Sequence, residues 1–171
     1  MESLSQALTW PFMQALVNAH GWLWAVFEII HYAGMSLLIG LVGGLDLRIL
    51  GCFRSVPIGA FKAFMPLAIA AFGANVLTGL AFVTSNATGA SFYVENGSFQ
   101  LKLLALLLAF ANLMVFQFSG LERRVYAVPG GANAPGSTKV VALVSLLSWI
   151  FVIIFGRLLM YNDALLYTFG F

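Results

Sequence analysis

Two ionisable side chains, Glu28 and His31, stand inside the apolar run WLWAVFEIIHYAGMSLLIGLVGGL, which extends from Trp22 to Leu45. At that spacing they share one face of a helix. A run of this length crosses a bilayer, whose hydrocarbon core takes about 20 residues. An ionisable group at that depth is costly to insert and marks a functional site by default. The chemistry open to this pair is narrow. A neutral imidazole can ligate haem iron or hydrogen-bond a quinone, and a nearby carboxylate can orient it. The plainer alternative is a buried pairing of Glu28 with His31, or of Glu28 with Lys102 or Arg157.

The elements that must position this pair follow from composition. Of 171 residues 61% are hydrophobic and 8% charged, against roughly 25% charged in a soluble globular protein. Apolar surface must therefore face lipid. The net charge of +2 comes without a basic cluster, which argues against nucleic acid as a partner. The single cysteine, Cys52, cannot form an internal disulfide. It falls on a loop expected to be cytoplasmic, where a thiol stays reduced. No Cys/His spacing of the metal-binding kind occurs. The first residues, MESLSQALTW, lack a positive n-region, so no cleavable signal peptide is expected.

Hydropathy predicts four spans, at about 22–45, 63–84, 99–121 and 140–161, preceded by an amphipathic interfacial helix over 3–19. Thr9 is a candidate cap for that helix, and Pro11 suits its first turn. Trp10, Trp22 and Trp24 fit an aromatic belt, and His20 lies in headgroup water beside them. In the first span Ser36, Gly40 and Gly44 recur every four residues. This small-residue seam admits a second helix, within the chain or from another copy. In the second span Pro66 falls early, and Asn75, Thr78 and Gly79 make a polar, small face. In the third, Lys102, Ala105, Ala109, Asn112 and Phe116 line one stripe that should face the bundle, with Gln117 off it. In the fourth, Ser145 and Ser148 share a face, and Arg157 points about 120° away from Ser145. Asn75 and Asn112 suit either ligand contact or hydrogen bonding between helices. Lys102 and Arg157 suit snorkelling anchors as well as site residues. Residues 85–98 read as a polar loop with sequons at Asn86 and Asn96, 122–139 as a flexible Pro/Gly connector, and 162–171 as an aromatic interfacial tail.

Positive charge sets the topology. Arg48, Arg54 and Lys62 lie in one loop, and Arg123, Arg124 and Lys139 in another, with none in residues 1–21 or 85–98. Both loops are therefore expected in the cytoplasm and both termini outside. At a rise of ~1.5 Å per residue, Glu28 and Thr78 fall roughly 9 Å below the outer ends of their spans, and His31 and Asn75 roughly 13 Å below. Lys102 and Arg157 fall in the outer interfacial layer, and Asn112 near mid-bilayer. Polar residues of all four spans should thus gather in the outer half, above a nearly uniform inner half of Leu, Val, Gly and Ala.

Four functions compete for that cluster. The first is a small membrane subunit of an outward-facing redox complex, engaging haem b or quinone near His31. Glu28, Lys102, Asn75, Asn112 and Arg157 would stand around the cofactor, and His31 would bind metal only as a haem-iron ligand. The second is a cofactor-free structural or assembly subunit. The third is a proton or ion path through Glu28 and His31, poorly supplied with ionisable groups on the inner side. The fourth is an enzyme acting alone, for which no nucleophile–base pair is visible. A bis-His haem within one chain is blocked, since His20 and His31 lie about 16 Å apart along one helix. Partners other than lipid would be further membrane or periplasmic subunits, or copies of this chain.

The motifs Glu28-x-x-His31, Gly40 and Asp46-Leu47-Arg48-x-Leu50-Gly51, followed by Thr78-Gly79-Leu80, Phe99-Gln100-Leu101-Lys102 and Ala111-Asn112-x-x-x-Phe116, resemble a family of bacterial four-span inner-membrane proteins known only as a domain of unknown function. The resemblance covers about residues 25–120. Where that family's pattern often places a histidine after the last phenylalanine, this chain has Gln117, a departure that counts against a haem held by two histidines of one chain. The resemblance implies a bacterial inner membrane and a four-span bundle, without supplying a function. The expectation is an all-α integral membrane protein, a four-transmembrane-helix bundle with an N-terminal interfacial helix.

Overall fold

A computed structural model describes residues 2–161. The expected aromatic tail, 162–171, lies outside the described residues. The chain folds as an all-α bundle with four segments long and apolar enough to cross a membrane. The helices are α1 (Glu2–Leu8), α2 (Pro11–Ala19), α3 (Trp22–Leu50), α4 (Met65–Ser85), α5 (Ser91–Val94), α6 (Gly97–Phe118), α7 (Leu121–Tyr126) and α8 (Gly136–Leu158). Short 3-10 segments, Ile58–Phe64 and Leu159–Tyr161, lead into α4 and out of α8. Large apolar side chains such as Ile29, Leu77, Leu107, Phe110 and Phe118 are exposed on the flanks of the spans. In a chain of this composition that surface meets lipid.

The N-terminal segment is two helices, where one amphipathic helix over 3–19 was expected. Pro11 disfavours helical backbone in the residue before it, and Trp10 is extended at φ −107° and ψ 105°. Pro11 does open α2, but Thr9 does not cap it. The Thr9 hydroxyl donates to Ser5 O at 2.8 Å and accepts from the Ala90 N–H at 3.0 Å. With Trp10 N–H on Thr84 O and Gln14 Nε2 on Asn86 O, this pins α1 and α2 to the end of α4 and the loop after it. That loop is also more ordered than its composition implied. It contains α5, and Asn96, buried at its end, caps α6 through Oδ1 and donates to Leu159 O through Nδ2.

The first span runs past Leu45 to Leu50. It stops at Gly51, whose φ of 115° is left-handed, and the N–H groups of Gly51 and Cys52 return to Arg48 O and Leu47 O. This is the glycine stop that satisfies the last carbonyls of a helix. Asp46 and Arg48, expected in a loop, therefore ride on α3 and are buried. Arg48 is fully enclosed. Its Nε donates to Val56 O at 2.6 Å and its Nη2 to Pro129 O and Ala132 O at 3.3 and 3.2 Å. Asp46 faces Ser145 of α8. The half of the bundle expected to be uniformly greasy thus holds a buried guanidinium at its end.

The same contacts overturn the flexible connector expected over 122–139. Part of it is α7, and the remainder is tied down by Arg48, by Ile58 N–H on Val128 O and by Gly131 N–H on Arg54 O at 2.7 Å. Val125, Ala134 and Ala142 complete a buried cluster there with Leu45, Ile49 and Ile58.

Helix α3 is the centre of the packing. It lies against α4 on one side and α8 on the other, and α8 in turn lies against α6. The close approach of α3 to α4 depends on Gly34. A Cβ there would stand 2.6 Å from Asn75 Nδ2 and 3.2 Å from Ala71 O. Of the expected seam, Gly44 meets the Phe61 ring, whereas Ser36 is exposed and a Cβ at Gly40 would meet nothing within 4 Å. Gly43 faces Leu146 of α8 instead. The seam inside the chain is therefore Gly34, Gly43 and Gly44.

Candidate site: a cleft between α4 and α6

The order α4–α3–α8–α6 leaves α4 and α6 facing each other across a cleft. Its volume is about 200 Å³. Its walls are Val76, Gly79, Leu80 and Val83 of α4 and Phe99, Leu103 and Leu106 of α6; Met35 and Leu38 of α3 with Trp149 and Val152 of α8 close the floor. Leu80 and Leu103 are exposed, so the cleft opens on the side of the bundle. Into this apolar space come three polar side chains from three helices, His31, Asn75 and Lys102.

His31 is held by α4. Its Nδ1 lies 2.7 Å from Thr78 Oγ1, and its ring stands edge-on to Phe82 at 5.4 Å between centroids. Thr78 turns its hydroxyl back to its own helix, 2.7 Å from Ala74 O and 3.2 Å from Asn75 O. This back-bonding is the usual resource of a threonine in an apolar helix. Asn75 uses Nδ2 in the same way, on Ala71 O at 2.9 Å, and leaves Oδ1 buried without a partner among the described residues. Lys102 lies along the gap left by Gly156, whose Cβ would stand 3.7 Å from its Nζ. Its ammonium acts electrostatically on His31, and no hydrogen-bond partner holds it among the described residues.

Three other residues expected around His31 stand elsewhere. Glu28 lies outside the cleft lining and accepts from Trp24 Nε1 at 3.1 Å. It does not pair with His31, Lys102 or Arg157, because Trp24, one turn earlier on α3, reaches it first. Asn112 donates to Val141 O at 3.0 Å and bridges α6 to α8. Arg157 is exposed, with Nη2 on the Tyr161 hydroxyl at 3.1 Å and its guanidinium over that ring. The third-span stripe does face inward, with Ala105 and Ala109 buried.

Sequence reasoning missed Trp149, Gly34 and the cleft itself. Gly34 carried a signal, a small residue one turn beyond His31 and opposite a polar α4 face. The cleft depends on which helices are neighbours, and no local pattern encodes that. Near the site, outside the spans, burial raises the Tyr93 phenol above its ordinary value; the Asn86 side chain works against that shift and the Glu28 carboxylate adds to it. Among the described residues no three His, Cys, Asp or Glu side chains come together.

Comparison with family models, with curated proteins and with solved structures finds no match for this chain.

Proposed function

We propose that this protein is a small subunit of an outward-facing redox complex in a bacterial inner membrane, and that its cleft takes a quinone headgroup from the bilayer. The orientation, with both termini in the periplasm, draws its support from Arg54, Lys62, Arg123, Arg124 and Lys139 at the loop-bearing end. Arg48 drops out of that reckoning, being buried. The cleft then lies in the outer leaflet, as the depth of His31 requires.

The observation that carries the reading is a side-opening apolar cleft with an imidazole and an unpaired ammonium at its lining. Ligand sites are mostly apolar, with a few polar groups that fix orientation. The volume favours quinone over haem in this reading. A dry cavity of about 150 Å³ accepts a benzene ring, so about 200 Å³ suits one substituted six-membered ring. Haem b is several times larger, and Arg157, the second cation for its propionates, stands outside the cleft. The cofactor-free reading draws its support from the amides: Asn75, Asn96 and Asn112 all spend their donors on backbone carbonyls, as packing residues do.

Solvent extraction of protein purified from native membranes tests this reading. The expected result is bound quinone, together with tryptophan quenching by added tetramethyl-p-benzoquinone that Trp149→Phe reduces and His31→Ala weakens at least about ten-fold. A preparation without extractable quinone and without quenching overturns the quinone site. A Soret band lost in His31→Ala moves the assignment to haem.

A further inference from the structure

Resting on the quinone reading, we infer that the cleft takes its ring as an anion: the preferred occupant carries an acidic ring hydroxyl, ionised and set against the Lys102 ammonium. The cleft lining holds that ammonium and no carboxylate. No carboxylate of the described residues pairs with Lys102. Glu28, one turn outward from His31, lies outside the lining and accepts from Trp24 Nε1 at 3.1 Å. The ammonium is also held in place. Its stem runs along Gly156 of α8, where a Cβ would stand 3.7 Å from Cε and Nζ and 3.8 Å from Cδ. A positive charge in apolar surroundings, without a counter-charge, attracts an anion far more strongly than it would in water. The cost of taking the ammonium out of water is already met within the fold, so only the occupant's own dehydration opposes binding.

The other polar groups of the lining admit an anion. The ring nitrogens of His31 donate or accept according to the tautomer, so the imidazole suits an ionised and a neutral ring alike. Asn75 Oδ1, whose lone pairs would repel an anion, has almost no accessible surface towards the cleft. A hydroxyl on a quinone ring is a vinylogous carboxylic acid. Loss of its proton at neutral pH spreads the charge over two oxygens, and either can accept a charge-assisted hydrogen bond from Lys102 Nζ.

Titration in non-ionic micelles with 2-hydroxy-3,5,6-trimethyl-1,4-benzoquinone, and with its methyl ether, which cannot ionise, tests the inference. Both are read by tryptophan quenching at neutral pH. Partition into the micelle cancels when the ratio of the two affinities is compared between proteins. In Lys102→Met, which keeps an unbranched side chain and removes its charge, the ratio is expected to shift at least about ten-fold towards the ether. Thermal unfolding establishes that the variant is folded, and Lys102→Gln replaces it if it is not. Binding of the hydroxyquinone alone, lost in the neutral variant, also supports the inference. A shift below about three-fold overturns it and leaves the quinone site standing. So does binding of the ether alone by the unaltered protein. Binding of neither ring overturns both.

Discussion

The two ends of helix α3 hold their polar atoms in different settings. Near its C-terminus Arg48 is fully buried and donates to three carbonyls from two loops, while its Nη1 and the neighbouring Asp46 Oδ2 are buried without a hydrogen-bond partner among the described residues. Towards its N-terminal half His31 meets the Thr78 hydroxyl and the Asn75 backbone, and Lys102 beside it has no hydrogen-bond partner among the described residues. A buried polar group that is satisfied holds a fold together; one that is left short must be met by something else. The contrast teaches that polarity inside a membrane bundle does not by itself mark a working site. Unspent hydrogen-bonding capacity does not mark it either, since both ends retain some; what sets the N-terminal half apart is that its polar groups line a space open to the side of the bundle.

Substitutions can break or sharpen this contrast. Arg48→Met should have the largest effect. It strands three carbonyls and frees both loops, at a cost of about 3 kcal/mol or more. The measurement is thermal unfolding in micelles, with faster amide exchange over 128–132. Gly34→Ala comes next. Its methyl would press on Asn75 and Ala71 O, costing about 2 kcal/mol, while Gly40→Ala, with open space around it, should stay within about 0.5 kcal/mol. Equal losses at both glycines would mean that Gly40 is covered by a second copy.

Lys102→Leu should behave unlike Arg48→Met. Removing a cation that lacks a hydrogen-bond partner from an apolar cleft is expected to leave stability unchanged or raise it by up to about 1 kcal/mol, while quinone binding falls. A loss as large as that of Arg48→Met would erase the distinction between the two regions. The smallest effect belongs to Tyr93. Its phenol is raised by burial and by Glu28, against the opposing Asn86 side chain, so the folded state keeps the proton longer than the unfolded chain. Its contribution to stability is complete below the ordinary phenol value of about 10 and is lost as pH rises through the folded value. Unfolding temperatures between pH 8 and 11 should fall less steeply in Tyr93→Phe.

Much of this fold is legible in the sequence because a membrane leaves few choices. Long apolar runs must be helices, and their lengths count the spans. The meeting of His31 with α4 is legible as well, since both an ionisable residue and a threonine-bearing face stand at matching depth. Arg48 is not. Between Leu47 and Gly51 it reads as a loop charge, and only carbonyls more than 70 positions away, at Pro129 and Ala132, make its burial tolerable. Asn112 and Arg157 went astray for a related reason. Depth alone groups them with His31, but depth says nothing about azimuth, and their partners lie at Val141 and Tyr161.

The sideways opening between α4 and α6 alters what concentration means for any occupant. A greasy molecule reaches such a doorway by diffusing in two dimensions, already enriched in the leaflet and already partly stripped of water. Occupancy then follows its mole fraction among the surrounding lipids rather than its amount in the aqueous phase. A modest intrinsic attraction suffices to keep the doorway filled, and an affinity for this protein has physical meaning only when expressed per lipid.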